Sequence, residues 1–175
     1  MYDSQKNFQI LRKVSQRFNA TFDKDALLQL IVDTCQELFD LKAISIYLSD
    51  ETQNKFSVVK QKGLSETYLT SGLTGPKILI PKLKAHGVLH CPDAPTDPRL
   101  NNHQAKKDEG IASMLVVPIK VVDRFIGIMT LYKAEPYEFP PEAIELVTAL
   151  GEQAGQAMEH AHLVSWLHRN NRIIK

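Results

Sequence analysis

Residues 111–133 read IASMLVVPIKVVDRFIGIMTLYK, and no other stretch limits the fold as strongly. An apolar, strand-like run over 111–121 meets the tight turn Val122–Arg124, and a second run over 125–133 follows at once. So short a connection returns the second run as the antiparallel partner of the first. The chain therefore needs a sheet, and the apolar residues of that sheet need cover from other elements.

The N-terminal third supplies candidate cover. Phe8, Leu11, Val14 and Phe18 recur at steps of three and four, which predicts a helix over about 4–18 with these residues on one face. Asp23 suits the cap of a second helix, whose apolar side carries Leu27, Leu28, Ile31, Cys35, Leu38 and Phe39. The period then changes to two. Ile44, Ile46 and Leu48 alternate with Ala43, Ser45 and Tyr47, which predicts a strand; residues 50–54 read as a polar turn and 55–63 as the returning strand, ended by Gly63. Ser65 is placed to cap a short helix through Tyr68.

Pro81 fits a helix only near its beginning, because deeper inside it forfeits a backbone bond and clashes with the preceding turn. The first turn is accordingly placed around 77–80, with Gly87 as the stop and a short strand over 88–90. Next comes CPDAPTDP, in which three prolines bracket Asp93 and Asp97. Prolines fix backbone angles and lower the entropy cost of holding a loop in one place, and Asp97 can hold the turn before Pro98. A helix over about 99–109 is expected to follow and to stop at Gly110. This segment reads either as the roof of a cavity or as a rigid crossover with local caps.

The last helix is expected from Pro141, which suits a first turn, to about Arg172. Its apolar face includes Ile144, Val147, Leu150, Ala154, Ala157, Met158 and Ala161. At 1.5 Å per residue it spans roughly 45–50 Å, more than the diameter of the domain. Ala149, Gly151, Ala154, Gly155 and Ala157 are small enough for another helix to approach closely. Past Ala161 the helix leaves the expected domain with Leu163, Val164, Trp166 and Leu167 uncovered. Such a stripe points to a partner, or to a return onto the first helix of the same chain.

Composition narrows the function. The chain has 175 residues, of which 43% are apolar, enough for one domain with a core. A formal net charge of +1 gives no field that argues for nucleic acid or a membrane surface. No apolar run approaches the ~18 residues of a membrane helix, and MYDSQKNF has neither the basic region nor the apolar stretch of a signal peptide. The expectation is a cytoplasmic protein. Cys35 and Cys91 are the two cysteines, too few for a disulfide framework or a thiolate zinc site of their own.

The order of these elements, with LLQLIVDTCQELFDLKAISIYLSD, GVLHCPDAPTDPRL, DEGIASMLVVPI, FIGIMTLYK and EFPPEAIELVTALGEQAGQAMEHAHL, resembles the GAF domain family over about 11–163. The resemblance implies an α+β fold: an antiparallel sheet of five or six strands, with the first and last helices on one face. Short helices and loops would roof the other face, where a small molecule can bind. Residues 1–163 are then one domain, and 164–175 are a helical extension for signalling or dimerisation. Members of the family sense cyclic nucleotides, chromophores, haem, amino acids or oxo-acids, and many bind nothing known. They regulate kinases, cyclases, phosphodiesterases and transcription activators, any of which is a possible output partner.

Motifs restrict the ligand without naming it. The phosphodiesterase-type signature places Asn-Lys at the end of the last strand, then Phe, then Asp-Glu. Here those positions hold Tyr132-Lys133, Phe139 and Ala143-Ile144, so cyclic nucleotides are disfavoured. A bilin-binding Cys-His pair would fall near Asn101-Asn102, and neither is cysteine. His160 and His162 lie two apart, on opposite sides of a helix, and cannot grip one ion; His86, His90 and His103 meet only if the loops fold back. Reduction of free methionine sulfoxide, an activity known in the family, needs a reactive thiol and a resolving thiol. Cys35 lies on an apolar helix face and Cys91 has no evident partner, so the chain is read as a regulatory domain and not an enzyme.

The ligand-site candidates are Ser45 and Tyr47 on the sheet, with Cys91, Asp93, Arg99, His103 and Lys107 in the roof. The Arg99 fork suits a carboxylate or phosphate, unless it pairs with a loop aspartate. The cofactor is unknown. A homodimer is expected to form through Phe8, Leu11, Val14 and Phe18 of the first helix and Leu163, Trp166 and Leu167 of the last.

Overall fold

A computed structural model of the protein describes residues 4–20, 23–50, 55–71 and 76–170. Its elements are α1 (Ser4–Ala20), α2 (Lys24–Phe39), β1 (Ala43–Asp50), β2 (Lys55–Lys62), α3 (Glu66–Thr70), α4 (Pro76–His86), β3 (Leu89–Cys91), α5 (His103–Glu109), β4 (Ser113–Val121), β5 (Arg124–Lys133) and α6 (Pro141–Asn170).

The five strands form one antiparallel sheet in the order β2-β1-β5-β4-β3. Period-two alternation sends the odd-and-even sets of each strand to opposite faces. Ile44, Ile46, Leu115, Val117, Ile119, Met129 and Leu131 pack with α1, α2 and α6. Ala43, Met114, Val116, Ile128 and Tyr132 pack with α3, α4, β3 and the chain before α5. Pro118 sits within β4, where a missing N–H is tolerated at an unpaired edge. The β3 partners run only to Val116, so Pro118 falls beyond them.

Local chemistry ends the elements where expected. Asp23 caps α2 by accepting from Asp25 N at 3.1 Å, and Ser65 caps α3 by accepting from Tyr68 N at 3.1 Å. Gly87 closes α4 with φ 78° and donates to Leu83 O at 2.7 Å. Pro81 does lie inside α4, in its second turn.

Two boundaries flanking the proline-rich loop differ. The short strand is Leu89–Cys91, one residue later than the pattern placed it. α5 begins at His103 rather than Arg99, because Pro98 and the Asp97–Leu100 turn occupy the preceding residues and Asn102 caps the helix through Ala105 N at 3.3 Å. α6 is described to Asn170, and Arg172 lies outside the described residues.

The two glycines of α6 do not await another helix. Gly151 and Gly155 face β4: a Cβ on Gly151 would stand 2.9 Å from Pro118 O, and one on Gly155 2.0 Å from Lys120 O. Ala154 is buried in the same core. Two of the expected dimer residues are also internal. Val14 and Phe18 are buried within the chain's own helical core, and Leu11 is half-buried against it. Phe8, Leu163, Trp166 and Leu167 are exposed.

Candidate functional site

The loop after β3 is held by Asp97. Its Oδ1 accepts from the Arg99 backbone N at 2.9 Å, and its backbone carbonyl accepts from Leu100 N at 3.1 Å. Both bonds tighten the turn around Pro98. The Arg99 guanidinium then closes on the same carboxylate, with Nε 2.9 Å from Oδ1 and Nη2 2.6 Å from Oδ2. Nη2 also donates to His90 O at 2.6 Å and lies 3.6 Å from Cys91 Sγ. The hydrogen bonds from Arg99 bring the Asp97 carboxyl down to about 2, and the same pairing raises Arg99. The His103 ring, at the start of α5, bonds to Asp97 O at 2.8 Å.

The sequence-predicted roof residues therefore divide. Cys91, Arg99 and His103 gather around Asp97. Arg99 is spent on that aspartate and on a carbonyl, the local pairing that competes with a role as anion partner. Asp93 and Lys107 are exposed. Lys106, which the sequence reading passed over, is the α5 lysine that turns inward, with 0% of its surface exposed. Its ammonium donates to Asn101 O, and burial pulls it down to about 8. Seven-residue α5 has a buried lysine beside an exposed one, and only the phase of the helix, set by the Asn102 cap, decides which is which.

The sheet beneath is polar at its centre. Ser45 is buried, and its Oγ lies 3.1 Å from Tyr132 Oη. Tyr132 meets Tyr68 of α3 edge to face at 6.1 Å. Burial first, and the neighbouring Tyr68 next, push the Tyr132 hydroxyl well above its usual value. Tyr47, on the same face, is half-buried and likewise raised by burial. Leu64, Leu79, Leu83, Leu89, Leu100 and Ile111 complete the packing between this face and its roof. Glu109 ties the two ends of the roof together, accepting from Ser65 N at 2.7 Å and Ser65 Oγ at 2.5 Å.

Neither cysteine is poised for chemistry. Cys35 and Cys91 are fully buried free thiols, each pushed up to about 12, Cys35 by burial and Cys91 by burial and then by the charge of Asp97. A reactive thiol needs the opposite, a lowered value and access. Two surface concavities lie away from the roof. One of about 80 Å³ separates α1 from α6 at Ser15, Phe18, Gln153 and His160. The other, open and about 840 Å³, runs under the end of α6 past Leu48, Val59, Ile126 and Met158.

The family model of the GAF domain matches residues 23–158. The chain belongs to the GAF domain family. No curated protein sequence matches it. Among solved structures it is similar to the GAF domain of a phosphoenolpyruvate-protein phosphotransferase from Coxiella burnetii. That match has 20% identity over 94% of this chain and 99% of the other, with a TM-score of 0.75. The equivalent Acinetobacter domain gives 19%, 94%, 99% and 0.73 in the same order. A free methionine-R-sulfoxide reductase from Neisseria meningitidis, solved with its substrate, gives 15%, 94%, 95% and 0.73. At these identities the likeness is one of fold.

The GAF fold also accounts for the two signature positions that this chain retains. Lys133 donates from Nζ to the carbonyls of Phe39 at 3.0 Å and Asp40 at 3.3 Å. It thereby satisfies the C-terminal end of α2, whose last carbonyls have no helical partner. Phe139 is buried and packs edge to face on Phe39 and His90. Its N–H donates to His90 Nε2 at 3.1 Å, which places the proton of the neutral ring on Nδ1. In this GAF domain both residues join α2 and the start of α6 to the sheet. His86 lies at the end of α4 and is exposed, whereas His90 bonds to Phe139 N and His103 to Asp97 O.

Among the described residues no helix is long and apolar enough to cross a membrane.

Proposed function

We propose that this chain is a regulatory domain that binds a small molecule between its sheet and roof and passes the change through its terminal helices in a homodimer. Ser45, Tyr47, Cys91 and the Asp97–Arg99–His103 loop are the candidate walls of that site. The observation that carries the reading is the path of α6. Its glycines rest on the β4 backbone at Pro118 and Lys120, and Met114 and Val116 of the same strand lie under the roof. The helix then continues past the core with Leu163, Trp166 and Leu167 about half exposed, at 50%, 52% and 53%. A displacement of β4 has a direct mechanical route to an exposed apolar stripe. Residues 164–175 are the expected link to an output unit, in the same chain or another, of the kind that GAF domains regulate.

Coupling of this kind requires a ligand that binds the two states of the helices with different affinity. The test is a thermal-shift panel of amino acids, 2-oxo acids and cyclic nucleotides. A compound that binds the native state raises the midpoint by mass action. A panel with no shift, on a protein that light scattering shows to be monomeric, would remove both halves of the proposal.

A second reading, a dimerisation module without a ligand, draws support from the roof itself. Arg99 is already paired, and Tyr68, Leu79 and Leu83 fill much of the face opposite the sheet. Under that reading the dimer persists and the panel stays silent. Methionine sulfoxide reduction, the activity of the Neisseria relative, finds no support in two buried thiols of high pKa.

A further inference from the structure

Lys106 presents a charge that its surroundings leave unbalanced. An ammonium carries three donors. The Asn101 carbonyl takes one, and no other described residue bonds to it. The titratable group facing it is Cys91 of β3, and Asp97 and Arg99 of the loop face Cys91 in turn. The Asp97 carboxylate is committed to Arg99 through both oxygens. Cys91, pushed up to about 12, is a neutral thiol. With Lys106 protonated, the cluster therefore holds two positive charges and one negative. Burying an uncompensated charge is costly, and burial accordingly draws the lysine down to about 8.

The chemistry around this ammonium limits what could balance it. The cluster of side chains under the roof includes Ala94, Leu100, Ile111 and Met114, all apolar and buried. A dianion such as phosphate would find one unpaired cation, because the fork of Arg99 is spent. A carboxylate needs a single positive charge and accepts two donors, the number that Lys106 has left. An apolar tail suits the remaining wall.

We propose that Lys106 Nζ anchors a carboxylate site under the roof, which takes a short monocarboxylate with an apolar tail while Asn101 O holds the ammonium in place. The assignment rests on the reading of the roof as a ligand site and names the class of ligand. It has a pH signature. The free lysine loses its proton near 8, whereas the bound carboxylate requires the ammonium. Affinity falls as pH rises above that value, and binding there takes up a proton. Cys91, Asp97 and Arg99 keep their charge states across this range.

The experiment is an amide NMR titration of the full chain with butyrate and with its uncharged isostere butyramide, read at Cys91, Asn101 and Ile111. Butyrate should give saturable shifts, butyramide none, and Lys106→Met should lose about tenfold or more in butyrate affinity. The wild-type protein should also lose about tenfold or more between roughly pH 6.5 and pH 9.5, an arm that does not depend on the variant folding. Equal affinity for butyrate and butyramide, or butyrate binding indifferent to pH, overturns the anion assignment while leaving a ligand site under the roof. Absence of saturable shifts with either probe, and with pyruvate, at the three amides overturns this inference. If the metabolite panel is silent as well, the roof reading falls with it.

Discussion

Gly155 of α6 lies against the backbone of Lys120, so close that a methyl group on its Cα would stand 2.0 Å from the Lys120 carbonyl oxygen and 2.8 Å from its carbonyl carbon. Both partners are main chain, so no side-chain rotation can relieve the overlap. Gly155→Ala should therefore destabilise the domain by about 3 kcal/mol, at the upper end of overpacking effects, despite the helix preference for alanine. Gly151→Ala, 2.9 Å from Pro118 O, should cost less. Urea unfolding of the two variants gives the order, and equal stability of Gly155→Ala and wild type would mean that α6 sits farther from β4.

The turn between β4 and β5 carries the opposite opportunity. Val122 has φ 55° and is 88% exposed. A β-branched residue in the left-handed region is strained by about 1–2 kcal/mol, and here no burial offsets it. Val122→Asn should raise stability by about 1 kcal/mol, measured as a higher unfolding midpoint with an unchanged denaturant slope.

Asp97 predicts an acid limb. Its folded-state value is lowered from 3.8 to about 2 by the hydrogen bonds from Arg99. A depressed carboxylate contributes stability that is complete above its unfolded value and disappears as pH falls through the folded one. The Arg99 side chain is 45% exposed, so solvent reduces the contribution to about 1–2 kcal/mol. Asp97→Asn should be less stable than wild type at neutral pH, and the gap should close between about pH 4 and pH 2. A gap that is constant across this range would assign the loss to packing and not to charge.

Cys35 and Cys91 should be silent toward alkylating reagents in the folded protein and reactive once it is unfolded, because both are buried and pushed up to about 12. Free methionine sulfoxide should not be turned over. Thiol-dependent turnover abolished by Cys91→Ser would overturn the regulatory assignment.

The elements were legible in the sequence because their signals are local. The alternation at 43–48, the turn at 122–124, the caps at Asp23 and Ser65 and the stop at Gly87 all act within a few residues. The roof was legible only in part. Pro98 and Asp97 were read together, yet the full turn they make delays α5 to His103, and that shift in helical phase buries Lys106 instead of Lys107. The pairing of Arg99 with a loop aspartate stands in the sequence only as an alternative, because its partner sits two residues away in a loop whose shape no periodicity reports. The α6 glycines were misread for a related reason: a stripe of small residues shows that something approaches closely, but not whether it is a helix or a strand.

The exposed end of α6 carries the prediction about assembly. Val14 and Phe18 are already covered within the chain, so they cannot contribute to an interface. What remains is Phe8, 67% exposed, with Leu163, Trp166 and Leu167 at 50–53%. Full burial of a large apolar side chain contributes about 1.5–3 kcal/mol, and these begin partly covered, so each adds roughly half of that. Four such residues from each of two copies, joined on a self-complementary two-fold surface, reach a total that can exceed the cost of association only if Trp166 is well buried. Light scattering at tens of micromolar should give the mass of a dimer. Truncation after His162 should yield a folded monomer, with the core intact because buried α6 residues end at Ala161. Trp166→Ala should weaken the dimer more than Leu163→Ala does. A dimer that survives the truncation unchanged would move the interface to the sheet edge or the roof, and a monomer for the intact chain would leave α6 to pair with a different polypeptide.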